Sequence, residues 1–472
     1  MEDIMVYQTI NPATGELIKT YANISDQDLE AAITNAHKAF ETKWRHCQVA
    51  ERAKIVSNAA VLLRKKSEEY AYYLTLEMGK LLNEAQAEIR LSADILDYYA
   101  KKAEHYLKPK ILPESQGAEL HIEPLGILLG IVPWNFPYYQ IARIAGPQLM
   151  VGNVLLLKHA ENVPQSALTF GRLFEEAGAP TGIYTNIFAS IQQIRRIIED
   201  RRVRGVTLTG SERAGAAIAE HAGRNLKKSV LGMGGSDPLI VLKDAPIETT
   251  LDSALFGRMF NTGQCCVGSK RIIVIGKTRS KIFLDGFIQR MASLKAGDPH
   301  DPQTTWGPLS SENALNILLS QVALATHGGG RIAFGGKRID RPGFYLEPTV
   351  LTNIGPNNPI YTQELFGPVV SFYSVENEEE AIRLANATPF GLGASVFTAD
   401  VERGRKIAAQ IESGMVFINQ PVWTSAELPF GGIKNSGYGR ELSELGFGEF
   451  VNQKLINIAP VGSPPWGPVV FD

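Results

Sequence analysis

Short β-branched runs alternate along the chain with longer stretches of helical periodicity, and this alternation limits the possible folds more than any other feature. The runs are GILLGIVP (126–133), NVLLLKH (153–159), GVTLTGS (205–211), LIVLK (239–243), RIIVIGK (271–277), VVSFYSV (369–375), SVFT (395–398) and MVFIN (415–419). Runs of this length separated by helix-sized segments predict α/β architecture with largely parallel sheets. Near the N-terminus, Ser25 is placed to cap a helix whose Leu29, Ile33, Ala36 and Phe40 fall on one face. At 472 residues the chain exceeds a single core, so two or three domains are expected.

Between Tyr106 and Pro124 the text changes to YLKPKILPESQGAELHIEP, with prolines, a glycine turn and alternating apolar residues. This reads as an extended hairpin outside the helical body, and exposed edges of that kind pair with other subunits. The tail NIAPVGSPPWGPVVFD (457–472) is rich in Pro and Gly and reads as extended.

A net charge of −2 gives no electrostatic reason to expect nucleic acid or an anionic membrane as partner, which leaves small-molecule chemistry. The most apolar stretch, LGILLGIVPW (125–134), is broken by Gly and Pro and is too short to span a bilayer. MEDIMVYQTINPATGE lacks the basic-then-apolar order of a signal peptide, so a cytoplasmic location is expected. Cys47, Cys265 and Cys266 fit a reducing compartment, and no spacing of ligands suggests a metal.

Three segments carry residues with chemical potential. In VLGMGGSDP (230–238), Gly232, Gly234 and Gly235 begin like a phosphate loop, but Asp237 and Pro238 stand where its helix should open. In FNTGQCCVGSKR (260–271), a thiol pair lies between a glycine turn and a strand. Cys265 and Cys266 are either small buried hydrophobes or thiols whose ionisation Lys270 and Arg271 favour. In IVPWNFPYYQIAR (131–143), Asn135 is either a turn residue or an amide donor to an oxyanion formed when a thiolate adds to a carbonyl.

Taken together these segments resemble the aldehyde dehydrogenase superfamily over nearly the whole chain, most closely its short bacterial succinate-semialdehyde dehydrogenases. NPATGE (11–16), PWNFP (133–137), GNVLLLKHAE (152–161), LTGSERAG (208–215), FNTGQCC (260–266), GDPHDPQTTWGPL (297–309), QELFGPVV (363–370) and PFGGIKNSGYGRE (429–441) occur in the family's order. The resemblance implies a modified Rossmann cofactor domain (1–105 and 124–234), an α/β catalytic domain (235–445) and a small β oligomerisation element (106–123 and 446–472) of a homodimer or homotetramer.

By the same resemblance Cys266 is the nucleophile, forming a thiohemiacetal whose oxyanion is held by the Asn135 side chain and the Cys266 N–H. Lys158 and Glu161 match positions that hold the adenosine ribose. A carboxylate at 161 repels a 2′-phosphate, which favours NAD, while His159 in place of the commoner Pro leaves NADP open. Trp134 belongs with the cofactor positions, and Gly210, Ser211 and Gly215 match the turn and helix start that meet the pyrophosphate. Glu364 and Phe366 match residues that position the nicotinamide ribose and ring. Arg143 matches an arginine that pairs with the distal carboxylate of succinate semialdehyde, with a surface salt bridge as the alternative. The cluster RRIIEDRRVR (195–204) reads as a solvated helix face.

The chain departs from the family at Gly232. The family reads L-E-L-G-G here, and its Glu is the base that activates water against the thioester; Leu231 is followed instead by Gly232 and Met233. A positioned base supplies about 10²–10⁴-fold, so deacylation is the step in question. Four readings stand: Glu441 in G-R-E serves as substitute base; coenzyme A intercepts the thioester; the protein is a low-activity member with a structural or binding role; or Gly232 is an engineered change.

Overall fold

The computed structural model describes residues 6–459 except 114 and 116, together with 461 and 462. The remainder of the tail expected to be extended lies outside the described residues. All eight apolar runs form strands, and they sort into two sheets.

The first sheet has six strands in the order Gly437–Tyr438, Lys228–Met233, Val203–Gly210, Ile127–Val132, Val154–His159, Tyr184–Asn186. All neighbours are parallel except the first pair. Leu128, Leu129, Leu155, Leu156 and Leu157 are consecutive in their strands and fully buried. Burial on both faces is what parallel strands covered by helices require, and it explains why these runs read as continuous rather than alternating. The helix Pro137–Val151 follows the central strand, with Pro at its first turn, and every one of its residues is buried. Its Gly146 lets Tyr99 of the helix Leu82–Tyr106 approach closely, since a β-carbon there would lie 2.7 Å from the ring.

The second sheet orders its seven strands Arg331–Phe334, Thr349–Thr352, Val369–Val375, Ser269–Ile275, Asp237–Val241, Gly393–Phe397, Met415–Ile418. Only the Arg331–Phe334 edge is antiparallel. Residues 234–236 connect one sheet to the other. Gly232 therefore ends a strand of the first sheet rather than cradling a phosphate. The later chain returns to that strand: Gly437 pairs with Gly232 and Tyr438 with Leu231. Gly437 has φ +104°, and a β-carbon there would lie 1.9 Å from the Leu231 carbonyl, so only glycine permits this pairing.

The hairpin expected before residue 124 is present as Lys110–Ile111 and Ala118–Pro124, and Val451–Asn457 adds a third antiparallel strand. Leu455 and Ile458 are exposed on and beside it. Ser25 caps the helix Asp26–Thr42 by accepting from Asp28 N–H at 3.0 Å, and Leu29, Ile33, Ala36 and Phe40 are buried. NPATGE is the turn of an N-terminal hairpin, Tyr7–Asn11 with Glu16–Tyr21, whose Asn11 Oδ1 accepts from Ala13 N–H. The 195–204 cluster is paired at the surface, Arg196 with Asp26 at 2.6 Å and Arg202 with Glu30 and Asp200. No described helix is long and apolar enough to cross a membrane.

Candidate active site

Cys266 sits between a strained turn and the strand Ser269–Ile275. Asn261, Thr262 and Gly263 all have positive φ, which is costly for a β-branched residue and persists only where surroundings enforce it. Here they do. The Asn261 N–H donates to Glu84 at 3.1 Å, its side-chain amide donates to the Asn135 carbonyl at 3.0 Å, and Gln264 accepts from Ser310 N–H at 2.8 Å. A β-carbon on Gly263 would lie 2.5 Å from the Gly367 carbonyl, so glycine is needed there too.

Asn135 follows the strand Ile127–Val132, and its Nδ2 donates to the Gln264 carbonyl at 3.1 Å, which brings the amide and the nucleophile turn together. A buried ion pair fixes its backbone. Lys80 donates to the Asn135 carbonyl at 2.9 Å and pairs with Glu88. Glu88 in turn accepts from the N–H groups of Tyr138 and Tyr139 at 2.8 and 3.2 Å, capping the helix that begins at Pro137. Sequence reading missed both charges. A signal was present: Glu88 shares the buried stripe of Ala85, Ile89 and Ser92, where an unpaired carboxylate would be prohibitive.

Two cavities meet at Cys266 and Gln140. The first, of about 260 Å³, is lined by Trp134, Asn135, Gly210, Ser211, Gly232, Glu364 and Phe366 among others. Trp134 and Phe366 meet edge to face at 5.7 Å. Ser211 caps the helix Glu212–Arg224, whose first N–H groups face an anion favourably. Aromatic walls at one end and a helix N-terminus at the other fit a dinucleotide. Gly215 lies outside this lining and serves packing, since a β-carbon there would sit 2.1 Å from Met233 Sδ. Lys158 and Glu161 lie beyond it and pair with each other, so the Glu161 carboxylate expected to repel a 2′-phosphate is itself neutralised.

The second cavity, of about 50 Å³, is walled mainly by Phe136, Tyr139, Phe256, Phe260, Trp423 and Phe430. Arg143 does not line it. The guanidinium lies behind the wall, 5.1 Å from the Tyr139 ring and 4.6 Å from that of Phe430. Its Nη2 pairs with Glu441 at 2.9 Å and donates to Thr209 Oγ1 at 2.8 Å. Arg143 is fully buried, so the expected surface salt bridge is instead an interior one, and its Nε has no partner.

Gly232 adjoins the buried Arg143–Glu441 pair. A β-carbon built on it would lie 3.7 Å from both Glu441 Oε2 and Arg143 Nη2. Glu441 thus stands beside the place the family's Glu would occupy, carried there by the pairing of Gly437 with Gly232. Burial raises its pKa above the ordinary carboxylate range, and Arg143 opposes the rise. The vicinal Cys265 and Cys266 thiols influence each other's ionisation and titrate as a pair. Cys265 is held below the usual thiol value, first by its contact with Cys266 and also by Lys270, against the opposing effect of burial; Cys266 is held well above it, first by Cys265 and then by burial. Arg271, expected to help, points elsewhere, to the carbonyls of Ser236, Leu384 and Ala385.

Residues 2–456 match the model of the aldehyde dehydrogenase family. The chain is 48% identical over 461 residues to succinate-semialdehyde dehydrogenase [NADP(+)] of Deinococcus radiodurans, covering 97% of this chain and 96% of that protein. It is 44% identical over 459 residues to succinate-semialdehyde dehydrogenase [NADP(+)] 1 of Mycobacterium bovis, covering 96% and 100%. Among solved structures, that of succinic semialdehyde dehydrogenase from Streptococcus pyogenes with NADP+ superimposes with a TM-score of 0.94 at 46% identity, over 96% of this chain and all of that one. The chain belongs to the aldehyde dehydrogenase family, as an NAD(P)-dependent oxidoreductase acting on aldehydes.

Proposed function

We propose that the protein oxidises succinate semialdehyde or a similar short semialdehyde with NADP+, through a thioester on Cys266. The observation that carries this reading is the position of Cys266 at the junction of the two cavities. An aldehyde entering between the aromatic walls meets the thiolate, and the C–S bond forms as the carbonyl π electrons move to oxygen. The Asn135 Nδ2, which has one N–H free beyond its bond to Gln264, and the Cys266 N–H hold that oxygen; one such donor is worth roughly 10²–10³-fold. Trp134, Phe366, Glu364 and the Ser211 turn would hold NADP+, which would supply the hydride acceptor needed for the thiohemiacetal carbonyl to re-form as a thioester. Glu441, which adjoins Gly232 at the wall of the cofactor cavity, then takes a proton from water; hydroxyl adds to the thioester, and the acid leaves as the thiolate is restored.

Two features support the finer points. The Nε–H of the buried Arg143 is unpartnered and lies behind Tyr139 and Phe430, so a substrate carboxylate would reach it only once those rings turn aside. Pairing with Lys158 removes the repulsion between Glu161 and a 2′-phosphate that favoured NAD, and the named relatives use NADP+. We further assign residues 1–105 and 124–234 to cofactor binding and 235–445 to catalysis. Residues 106–123 and 446–472 are assigned to pairing with further copies of the chain, in a cytoplasmic oligomer.

Rapid mixing tests the reading. Succinate semialdehyde with NADP+ should give a burst of NADPH near one equivalent per Cys266, faster than NAD+ gives and faster than an uncharged aldehyde of equal length. Absence of a burst with any aldehyde removes the enzymatic reading. Equal rates for the two aldehydes remove the role of Arg143. Acceleration by coenzyme A with release of an acyl thioester replaces water as acceptor.

A further inference from the structure

We infer that Lys270 is a positioning residue for the oxyanion-binding peptide, fixing and polarising the amide whose N–H belongs to Cys266 and tying it to Glu364. The inference rests on the assignment of Cys266 as nucleophile. Lys270 lies at the start of the strand Ser269–Ile275, and its side chain is 1% exposed. Its ammonium donates to the carbonyls of Cys265 at 2.9 Å and Cys266 at 2.7 Å and pairs with Glu364 Oε1 at 3.0 Å. An ammonium has three donors, and all three are used.

The Cys265 carbonyl and the Cys266 N–H are opposite ends of one planar peptide. A cation at the oxygen end draws electron density from the nitrogen and strengthens the N–H as a donor; such chaining adds roughly 10–30% per bond. It also sets direction, because rotating this peptide to turn its N–H away would break the Lys270 bond. The second bond restrains the peptide after the nucleophile in the same way.

The third bond extends the connection. Glu364 Oε1 also accepts from the Gly235 N–H at 3.1 Å, and a β-carbon on Gly234 would lie 1.9 Å from Oε2. Its carboxylate is pressed against the link between the two sheets. Lys270 therefore joins the nucleophile turn, the inter-sheet link and a wall of the cofactor cavity. The charged and titratable groups around it are Glu364, Asp237, Cys265 and Cys266, with Arg143 and Arg258 acting on the same thiols and carboxylate from further away.

The test compares the NADPH burst with alkylation of Cys266 by iodoacetamide across pH, in Lys270→Met and Lys270→Arg. Alkylation needs the thiolate but forms no oxyanion. Lys270→Met should slow the burst about 10²-fold, while alkylation above the thiol pKa stays within about twofold of the unaltered chain. Lys270→Arg should recover most of the burst. The inference is overturned by a Lys270→Met burst within about twofold of the unaltered chain, by equal losses in burst and high-pH alkylation, or by an Arg variant as slow as Met. Should the Met variant not fold, Lys270→Gln is judged by the same comparison. A burst that persists in Cys266→Ala removes the nucleophile assignment itself; a burst lost there but unchanged in Lys270→Met removes only the role of Lys270.

Discussion

Replacing Glu441 by Gln keeps the shape of the side chain and removes its capacity to take a proton. If Glu441 is the base for deacylation, steady-state turnover falls by about 10²–10⁴-fold. The NADPH burst, which precedes deacylation, keeps its amplitude near one equivalent per Cys266. The substitution also removes the counter-charge of Arg143, which is fully buried. Leaving a buried charge unpaired costs about 3–5 kcal/mol. The lower end applies here, because Thr209 Oγ1 at 2.8 Å and the new amide oxygen still accept from the guanidinium. Stopped-flow fluorescence, steady-state rates and thermal melting read these effects separately. A pH profile adds a further check: burial raises the Glu441 pKa above its ordinary 4.5, so turnover of the unaltered chain declines as pH falls through that raised value, and the variant lacks this limb. A β-carbon on Gly232 is tolerated, since its contacts are 3.4 Å or longer. Gly232→Glu in the Glu441→Gln background should return much of the lost turnover. A folded Glu441→Gln protein with undiminished turnover would refute the assignment of the base.

Asp237 is buried with neither carboxylate oxygen hydrogen-bonded, and burial lifts its pKa from 3.8 to about 8. The folded state holds its proton where the unfolded chain has lost it, so stability present below 3.8 declines as pH rises towards about 8. Asp237→Asn should therefore raise the melting temperature at pH 8.5 more than at pH 5, and equal shifts at both would count against the argument. Glu88→Gln leaves Lys80 charged and unpaired beneath Asn135, so it should destabilise the fold by about 3–5 kcal/mol and slow the burst while leaving cofactor affinity unchanged. A denaturant titration within about 1 kcal/mol of the unaltered chain would show that the pair is not needed.

The eight strands were legible because parallel strands buried on both faces must be apolar without interruption. Glu16–Tyr21 and Arg331–Phe334 were not, since each is short and largely exposed and carries no such run. At the site, the segments holding Asn135, Gly232 and Cys266 were readable as motifs with local meaning. What Arg143 touches was not readable. Its partner Glu441 arrives by a two-residue strand, and the pairing of Gly437 with Gly232 leaves no periodic signal in either segment. Lys80 and Glu88 show the same limit: one charge in an apolar stripe announces that it has a partner, but not which backbone that partner supports.

The return of Gly437–Tyr438 to the edge of the first sheet bears on how the protein is made. Arg143 and the strand Lys228–Met233 precede by a long stretch of chain the Phe430 ring and Glu441 carboxylate that cover and neutralise the guanidinium. Without this segment Arg143 lacks both its counter-charge Glu441 and the Phe430 ring packed on it, and the edge of the strand Lys228–Met233 is unpaired. Closing that edge brings Glu441 beside Gly232 and pairs the charge of Arg143 in one event. One short strand pairing thus closes a sheet edge and satisfies an interior charge, so a variant that loses the pairing has a fold easier to open.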